Sequence, residues 1–216
     1  MKCLSGLRHP LPLSARASSS MWGGAGRMLP PLRETLVTTE RLVLAPPFRA
    51  DFAEWADLRE RSRTHLEPWE PVWPSDVHSK ADWSRRLKAW HSSWRNGRAH
   101  VFLIRRQTDN RLIGGVSLTN VRGWPAQAAN LGYWIGADHQ GNGYMHEAVG
   151  TICTWAFQIL DLWRIEAGTL PTNERSQRVL AKVGFEREGY ARDYLEIAGK
   201  REDHILFALV RPTMQR

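Results

Sequence analysis

The stretch from Asn130 to Ala148 constrains the fold most, because a glycine turn joins a strand pattern to a helix pattern there. Residues 131–135 are aromatic and β-branched, which is typical of a strand. The following helix is predicted by the apolar spacing of Ala148, Ile152, Trp155 and Ile159. A strand, a turn and a helix start in this order gather unpaired backbone N–H groups at the positive end of the helix dipole. The stretch therefore predicts either an anion site, most often for a phosphate, or an ordinary strand-to-helix turn.

The turn itself, Gln140-Gly141-Asn142-Gly143-Tyr144-Met145, excludes several common motifs. No Gly-Lys-Ser/Thr follows it, as a P-loop requires, and the third glycine of a dinucleotide fingerprint is missing. His146-Glu147 does not begin a zinc-binding His-Glu-x-x-His motif, because position 150 is glycine. The sequence thus predicts no metal site.

The chain has 216 residues, which is enough for one domain with a sizeable core. Its net charge is +8, but residues 1–33 carry five basic residues and no acid, so the remainder is only mildly basic. A direct nucleic-acid reader is therefore not predicted. No run approaches the ~20 apolar residues that span a membrane, so no membrane association is predicted either.

Residues 1–33 are rich in Ser, Gly, Pro and Arg and have no hydrophobic periodicity. This composition predicts a disordered basic N-terminal extension, followed by a domain at 34–212. The extension is faintly similar to a transit peptide, and a dispensable tail is the simpler explanation. The two cysteines, Cys3 and Cys153, lie far apart and predict no disulfide framework, which suits a reducing, cytoplasmic location. Cys153 is expected to be a core thiol.

Strand and helix patterns alternate as β-α-α-β-β-β-α-β-α-β-β, which predicts a mixed α/β sheet. The predicted strands are 36–44, 100–106, 112–118, 129–135, 163–168, 188–197 and 201–210. The predicted helices are 50–61, 79–94, one from the glycine turn to about 160, and one capped by Asn173 that ends at 183. Three prolines exclude regular structure from the loop at 65–74, and residues 120–127 are expected to form a second loop.

The turn Gln140-x-x-Gly143 is similar to the acetyl-CoA motif of the GCN5-related N-acetyltransferases (GNAT), although Met145 replaces the usual small last residue. A Tyr-Met after the second glycine resembles the RimJ/RimL branch of that family. The resemblance covers residues 35–210 and includes the order of strands and helices. It implies a single-domain GNAT fold, with a mixed, mostly antiparallel sheet of about seven strands flanked by about four helices. It also implies acetyl-CoA as co-substrate, with no metal.

The resemblance further implies which residues contact the cofactor. In the family, the strand that holds Tyr133, Trp134 and Ile135 is bulged and splays from the next strand, and an N–H of about Trp134 or Ile135 faces the thioester oxygen. Asn173-x-x-Ser176 is similar to a stretch in which Asn binds the cofactor and Ser protonates the leaving thiolate. The alternative is that Asn173 only caps a helix and Ser176 only sits in its first turn. The implied cofactor residues are Tyr133, Trp134, Ile135, Gln140, Gly141, Asn142, Gly143, Tyr144, Met145, Asn173 and Ser176, and the catalytic candidates among them are Ser176, Trp134 and Ile135.

The acceptor half of the site is less readable. Leu66-Glu67-Pro68-Trp69-Glu70-Pro71 is similar to a loop of RimJ-type enzymes, so it forms a substrate wall, a lid over the core, or both. The predicted substrate contacts are Trp69, Glu70, Asn120 and Tyr194. The general base is left open among Asp193, Glu70 and His204, because the register that carries a Glu in RimL-type relatives holds Leu195 here.

The function that the resemblance implies is acetylation of the N-terminal alanine of a ribosomal protein, by direct transfer from acetyl-CoA in a ternary complex. The partners would be acetyl-CoA, a ribosomal-protein N-terminus and the ribosome, with the enzyme a monomer or homodimer. Two alternatives stay open: an acetyltransferase for a small-molecule amine or antibiotic, and a non-catalytic CoA-binding module associated with ribosomes.

Overall fold

The computed structural model describes residues 30–212 and contains one sheet of eight strands in the order β1-β2-β3-β4-β5-β6-β8-β7. The strands are β1 (Val37–Thr38), β2 (Leu42–Ala45), β3 (His100–Arg106), β4 (Leu112–Arg122), β5 (Ala128–Ile135), β6 (Arg164–Thr169), β7 (Glu186–Ile197) and β8 (Lys200–Val210). All neighbours pair antiparallel except β5 and β6. The predicted mixed, mostly antiparallel sheet is confirmed.

Five α-helices flank this sheet: α1 (Phe52–Arg61), α2 (Arg63–Leu66), α3 (Lys80–Arg95), α4 (Tyr144–Ile159) and α5 (Glu174–Val183). The side chains of α1 and α3 form most of one apolar cluster, and those of α4 and α5, with Trp94 at the end of α3, contribute to a second, larger one. The helices therefore lie on two different faces of the sheet, as two apolar faces require. Within residues 30–212, no helix has both the length and the apolar character needed to cross a membrane.

Three local predictions are corrected by the structure. The predicted first strand at 36–44 is two strands, since the chain turns at Thr39–Arg41 and pairs Val37 with Leu44. The loop at 65–74 begins with the end of α2 and a 3-10 turn at Glu67–Trp69, which tolerates Pro68 at its first turn. Residues 120–122, predicted to be a loop, continue β4. These changes account for eight strands and five helices instead of about seven and four.

Helix ends follow their capping residues. The Ser79 hydroxyl accepts from the Asp82 N–H and starts α3 one residue after the predicted boundary. Asn173 Oδ1 accepts from the Ser176 N–H and starts α5, and Gly184, at φ 105°, ends it. Cys153 lies in α4 and is 2% exposed, which confirms the predicted core thiol. Burial raises its pKa to about 12, so the thiolate is not available at neutral pH.

The junction between β5 and β6 opens partway along the sheet. Ala128, Ala129 and Asn130 pair with residues 164–166, and the two strands then separate. Residues 131–135 of β5 keep their pairing with β4 on the other side. A gap thus runs through the sheet beside the second half of β5, as the predicted splay requires. The bulge expected on β5 lies instead on β4, where Asn120 and Val121 face the single residue Ala129.

Residues 1–29 of the predicted N-terminal extension lie outside the described residues. Residues 30–34 pack on the domain: Leu32 contacts the larger apolar cluster, and the Trp94 indole donates to the carbonyl of Pro30. The packed region therefore includes residues 30–33, which the sequence prediction assigned to the extension.

Candidate active site

The glycine turn places a set of free N–H groups before α4. Gly141 and Gly143 both have φ 76°, a left-handed conformation that other residues adopt at a cost. Within residues 30–212 the N–H groups of Gly141, Asn142 and Gly143 donate to no protein acceptor. The first-turn N–H groups of α4 add to this set, because a helix leaves them without intrahelical partners. The turn is therefore a concave cradle of donors at a positive helix end.

Arginine side chains surround this cradle. Arg41, from the β1–β2 turn, donates to the carbonyl of Asn142 at 3.0 Å and stacks on the Tyr144 ring at 4.9 Å. The same guanidinium is held by the Glu147 carboxylate at 2.6 Å. From α5, Arg175 donates to Gln140 Oε1 at 2.5 Å. The cradle is thus braced from both sides by guanidinium groups. That of Arg175 has no carboxylate partner among the described residues, so its charge favours an anionic ligand.

Backbone groups of β5 point into the gap in alternation. The Gly136 N–H donates to the Ile113 carbonyl of β4 at 2.9 Å, so the N–H groups of Trp134 and Gly132 also point toward β4. Those of Tyr133 and Ile135 point toward the gap, where β6 has separated. Of the two predicted oxyanion donors, Ile135 thus directs its N–H into the gap and Trp134 directs its N–H into the β4–β5 ladder.

On the α4–α5 face of the gap, Tyr133 and Ser176 form a hydrogen-bonded pair. The Tyr133 hydroxyl oxygen lies 2.7 Å from Ser176 Oγ and 3.2 Å from the Ser176 carbonyl oxygen. Burial raises the pKa of Tyr133 to about 12, although its hydrogen bond with Ser176 acts in the other direction. The phenol therefore keeps its proton at neutral pH. Asn173 holds the Ser176 backbone through the α5 cap, so the helix-cap reading of Asn173 is realised in the fold.

A cavity of about 180 Å³ fills the gap between β5 and β6. It is lined by Trp69, Leu131, Gly132, Tyr133, Ala167, Gly168, Thr169, Leu170, Asn173, Ser176, Leu180 and His204. The Thr169 hydroxyl is fully enclosed and has no partner among the described residues. A buried hydroxyl without a partner is costly, so Thr169 is an unsatisfied polar group within the cavity wall.

The loop that carries Trp69 and Glu70 is fixed to α1. Arg59 donates to both Glu70 carboxylate oxygens, at 3.2 and 2.5 Å, and the Trp73 indole donates to the second of them at 2.8 Å. The Arg59 guanidinium also lies over the rings of Trp73, at 4.7 Å, and Trp134, at 5.1 Å. Glu70 is therefore an anchor of the loop, and Trp69 is the member of the pair that lines the cavity.

The remaining predicted acceptor residues separate into two locations. Tyr194 packs edge-on against His204, with ring centroids 5.5 Å apart, beside Gly168 at the cavity wall. Asn120 lies in the β4 bulge at φ 48° and does not line the cavity. Asp193 has φ 45° in a β7 bulge, where its N–H donates to Asp203 at 2.9 Å, and it does not line the cavity either.

Sequence reasoning missed four residues of this region: Arg41, Arg59, Thr169 and Arg175. Arg41 and Arg175 lie far along the chain from the residues that they contact, and Thr169 has no partner among the described residues. Arg59 lies 11 residues from Glu70, in a different element. A lone arginine or threonine in a helix, strand or turn carries no motif by itself. Among the described residues, no group of three or more His, Cys, Asp or Glu side chains is arranged to hold a metal ion.

Comparison with known proteins now identifies the class. The acetyltransferase (GNAT) domain model matches residues 41–186, so the chain belongs to the GNAT acetyltransferase family. Its sequence is 36% identical to the [ribosomal protein uS5]-alanine N-acetyltransferase of Escherichia coli over 176 residues, which cover 82% of this chain and 91% of that protein. The protein is thus an N-acetyltransferase whose relatives include RimJ-type enzymes.

Two solved structures agree with this assignment. The ribosomal-protein-S5-alanine acetyltransferase of Vibrio fischeri has a TM-score of 0.76 and 33% identity, covering 82% of this chain and 96% of that one. Mycobacterium smegmatis RimJ, in complex with CoA-disulfide, has a TM-score of 0.75 and 33% identity, covering 78% and 81%.

Proposed function

We propose that this protein transfers an acetyl group from acetyl-CoA to the N-terminal amine of a protein, and that its acceptor is a ribosomal protein beginning with alanine. The observation that carries the proposal is the passage through the sheet between β5 and β6. It connects a cradle for an anionic carrier with a cavity that has a proton donor on one side and aromatic walls on the other. Relatives that act on ribosomal-protein alanine support the choice of acceptor.

The cradle is suited to the pyrophosphate of acetyl-CoA. Residues 141–143 and the first turn of α4 supply N–H donors, and Arg175 supplies positive charge. Arg41, which is paired with Glu147, holds the turn through the Asn142 carbonyl. Met145 does not obstruct the cradle, because its side chain is 6% exposed and belongs to the apolar core. The pantetheine arm would continue along β5, where the free groups of Tyr133 and Ile135 can bond its amides, and Asn173 borders the same path.

The chemistry requires a stabilised oxyanion and a proton for the departing sulfur. The Ile135 N–H points into the gap and is the proposed donor to the thioester oxygen. The Ser176 hydroxyl is the proposed acid for the thiolate, with its orientation set by Tyr133 at 2.7 Å. Cys153 takes no part as a nucleophile, because burial keeps its thiol protonated. Direct transfer in a ternary complex is therefore the proposed route.

The acceptor end of the cavity, beside Trp69 and His204, favours a small terminal residue. The whole cavity, which the pantetheine arm would share, measures about 180 Å³ and is below the 300–1,000 Å³ that is usual for drug-sized ligands. Trp69, which lines the cavity, and Tyr194, which packs against His204, are 36% and 42% exposed, so an extended peptide could contact both. An N-terminal alanine therefore matches the cavity better than a bulky amine such as an antibiotic.

A thiol-release assay tests this function. Purified protein and acetyl-CoA are incubated with peptides that begin with Ala, Ser or Leu, with an N-terminally blocked Ala peptide as control, and with polyamines and aminoglycosides. The expected result is CoA release with the free Ala peptide and none with the blocked one. Release only with small amines would reject the ribosomal acceptor. CoA binding without release with any amine would reject catalysis and favour a binding module. Mass spectrometry of ribosomal-protein N-termini in a deletion strain then identifies the natural acceptor.

A further inference from the structure

His204 stands at the acceptor end of the cavity with a free ring nitrogen. We propose that His204 is the general base that takes the proton from the acceptor amine. This inference rests on the proposed acetyl transfer and assigns the role that the sequence left open. Three observations support it: the position of the His204 ring, the hydrogen bond of Nδ1, and the existing hydrogen bonds of the Glu70 carboxylate, which is the competing candidate.

Side-chain alternation along β8 decides which face His204 occupies. Ile205 and Phe207 belong to the apolar cluster that α4 and α5 share, so His204 points to the opposite face. Ser176, by contrast, begins α5 on the first face. The cavity between them is lined by both residues. The proposed acid and the proposed base therefore approach the gap from opposite faces, as a transfer between two substrates requires.

The hydrogen bonds of His204 assign its proton. Nδ1 lies 2.9 Å from the carbonyl oxygen of Glu202. Because a carbonyl only accepts, Nδ1 carries a hydrogen, and the neutral ring then has its lone pair on Nε2. The residue is 3% exposed, yet Nε2 has no partner among the described residues and is not one of their fully enclosed atoms. Because His204 lines the cavity, this nitrogen is available to a group bound there.

Neighbouring groups hold the ring in place. The Tyr194 ring packs edge-on against the His204 ring, with centroids 5.5 Å apart. Gly168 leaves room for the ring on another side, since a Cβ on Gly168 would lie only 3.4 Å from His204 Cδ2. Glu70 is a poor competitor, because its two oxygens already accept three hydrogen bonds from Arg59 and Trp73. Asp193 does not line the cavity.

The proposed step balances its protons and electrons. The amine lone pair forms the N–C bond at the thioester carbonyl carbon, and the amine proton moves to His204 Nε2. The C–S bond then breaks with its electron pair on sulfur, which takes the proton of the Ser176 hydroxyl. His204 afterwards releases its proton to water and Ser176 regains one from water, so the net transfer is one proton from nitrogen to sulfur.

Substitution with chemical rescue tests the assignment. His204→Ala should lower kcat roughly 10²- to 10⁴-fold, as loss of a general base does, while acetyl-CoA affinity stays unchanged. Added imidazole should restore part of the rate, because the deleted ring leaves space beside Gly168. His204→Asn keeps a donor for the Glu202 carbonyl and lacks the Nε2 position, so it should fold and be equally slow. His91→Ala, on α3 away from the cavity, should keep the wild-type rate and show no response to imidazole.

Wild-type turnover in a folded His204→Ala or His204→Asn variant would overturn the proposal. So would a slow variant that regains nothing with imidazole and instead loses acceptor affinity, because that result assigns a structural role. If His204→Ala does not fold, the fall in kcat at unchanged affinity in His204→Asn decides. Each rate is compared with the wild type on the best amine found, so a wrong acceptor in the proposed function leaves this test intact.

Discussion

The hydroxyl oxygen of Tyr133, in strand β5, lies 2.7 Å from Ser176 Oγ, in helix α5. The pair joins the strand that would hold the pantetheine arm to the helix that Asn173 caps. Because burial raises the pKa of Tyr133 to about 12, the phenol stays protonated and can orient the serine at any pH near neutrality.

Removing the serine hydroxyl should slow the reaction without releasing the cofactor. Ser176→Ala is expected to lower kcat roughly 10²-fold, the lower range for loss of an acid–base group, with little change in the Kd for CoA. Tyr133→Phe keeps the ring in the core and removes only the partner hydroxyl, so its effect should be smaller. Steady-state kinetics and calorimetric CoA binding measure both. Wild-type turnover in Ser176→Ala would remove it as the acid.

Filling the glycine turn should abolish cofactor binding. Gly143 has φ 76°, a conformation that a side chain would strain. A Cβ at this position would lie 3.5 Å from Arg41 Nη2. Gly143→Trp is therefore expected to strain the turn, displace Arg41 and cover the free N–H groups. Gly123→Trp is the matched control, because a Cβ there meets nothing within 4 Å and the residue lies just after β4, outside the glycine turn. Circular dichroism checks the fold of both. CoA binding to Gly143→Trp at wild-type affinity would contradict the cradle assignment.

Breaking the Arg59–Glu70 pair should loosen the acceptor loop. The two side chains are 9% and 25% exposed, so removing one leaves a partly buried charge unpaired. Arg59→Met should cost about 3 kcal/mol of unfolding free energy and raise the KM for the acceptor peptide, with CoA affinity retained. Arg178→Met breaks an exposed pair, 63% and 76% exposed, and should change stability by no more than about 0.5 kcal/mol. Urea unfolding and peptide kinetics measure the two effects; an unchanged KM would separate this loop from acceptor binding.

A buried histidine should make stability fall in acid. His100 is fully buried between Trp94 and Trp155, with no partner on either ring nitrogen among the described residues, and burial lowers its pKa from 6.5 to about 4. Below pH 6.5 His100 is protonated in the unfolded chain, whereas in the folded chain it stays neutral until about pH 4. His100 therefore lowers the unfolding free energy by up to ~1.4 kcal/mol for each pH unit of acidification between pH 6.5 and about pH 4. Above pH 6.5 it has no such effect.

The variant His100→Phe isolates that effect. It retains an aromatic ring and has no group to protonate, so its stability should decline less between pH 6.5 and pH 4 than that of the wild type. Urea titrations at several pH values measure the difference, and carboxylates that titrate in both proteins cancel. Parallel stability curves for the two proteins would show that His100 does not contribute to acid sensitivity.

Local signals predicted most of the secondary structure. The apolar stripe of α3, the Asn173 cap and the glycine turn are short-range patterns, and each appears in the fold at or within a residue or two of its expected position. The division of the first strand escaped prediction, because Thr39 and Arg41 also fit the outward face of a single strand over residues 36–44. The turn is stabilised by contacts that are distant along the chain, from Thr39 and Arg41 to Glu147.

The candidate site divides in the same way. Its cofactor half lies in contiguous motifs, so residues 140–145 and Asn173 could be named from the sequence, with roles that remain predictions. Its acceptor half is assembled from separate strands and a loop. The sequence could name Trp69, Tyr194 and His204, yet only the fold places Trp69 and His204 on one cavity and Tyr194 against His204. Asn120 and Asp193 were equally plausible along the chain, and bulges in β4 and β7 turn them elsewhere.

The opening between β5 and β6 also bears on how this enzyme can diversify. Acyl donor and acyl acceptor would reach the same point from opposite faces, and the groups that bind them share few residues. Changes in the loop at 67–74 or in the β7–β8 hairpin can alter the accepted amine while the glycine turn is inherited intact. Specificity for a new acceptor can therefore evolve while the binding site for the acyl donor is unchanged.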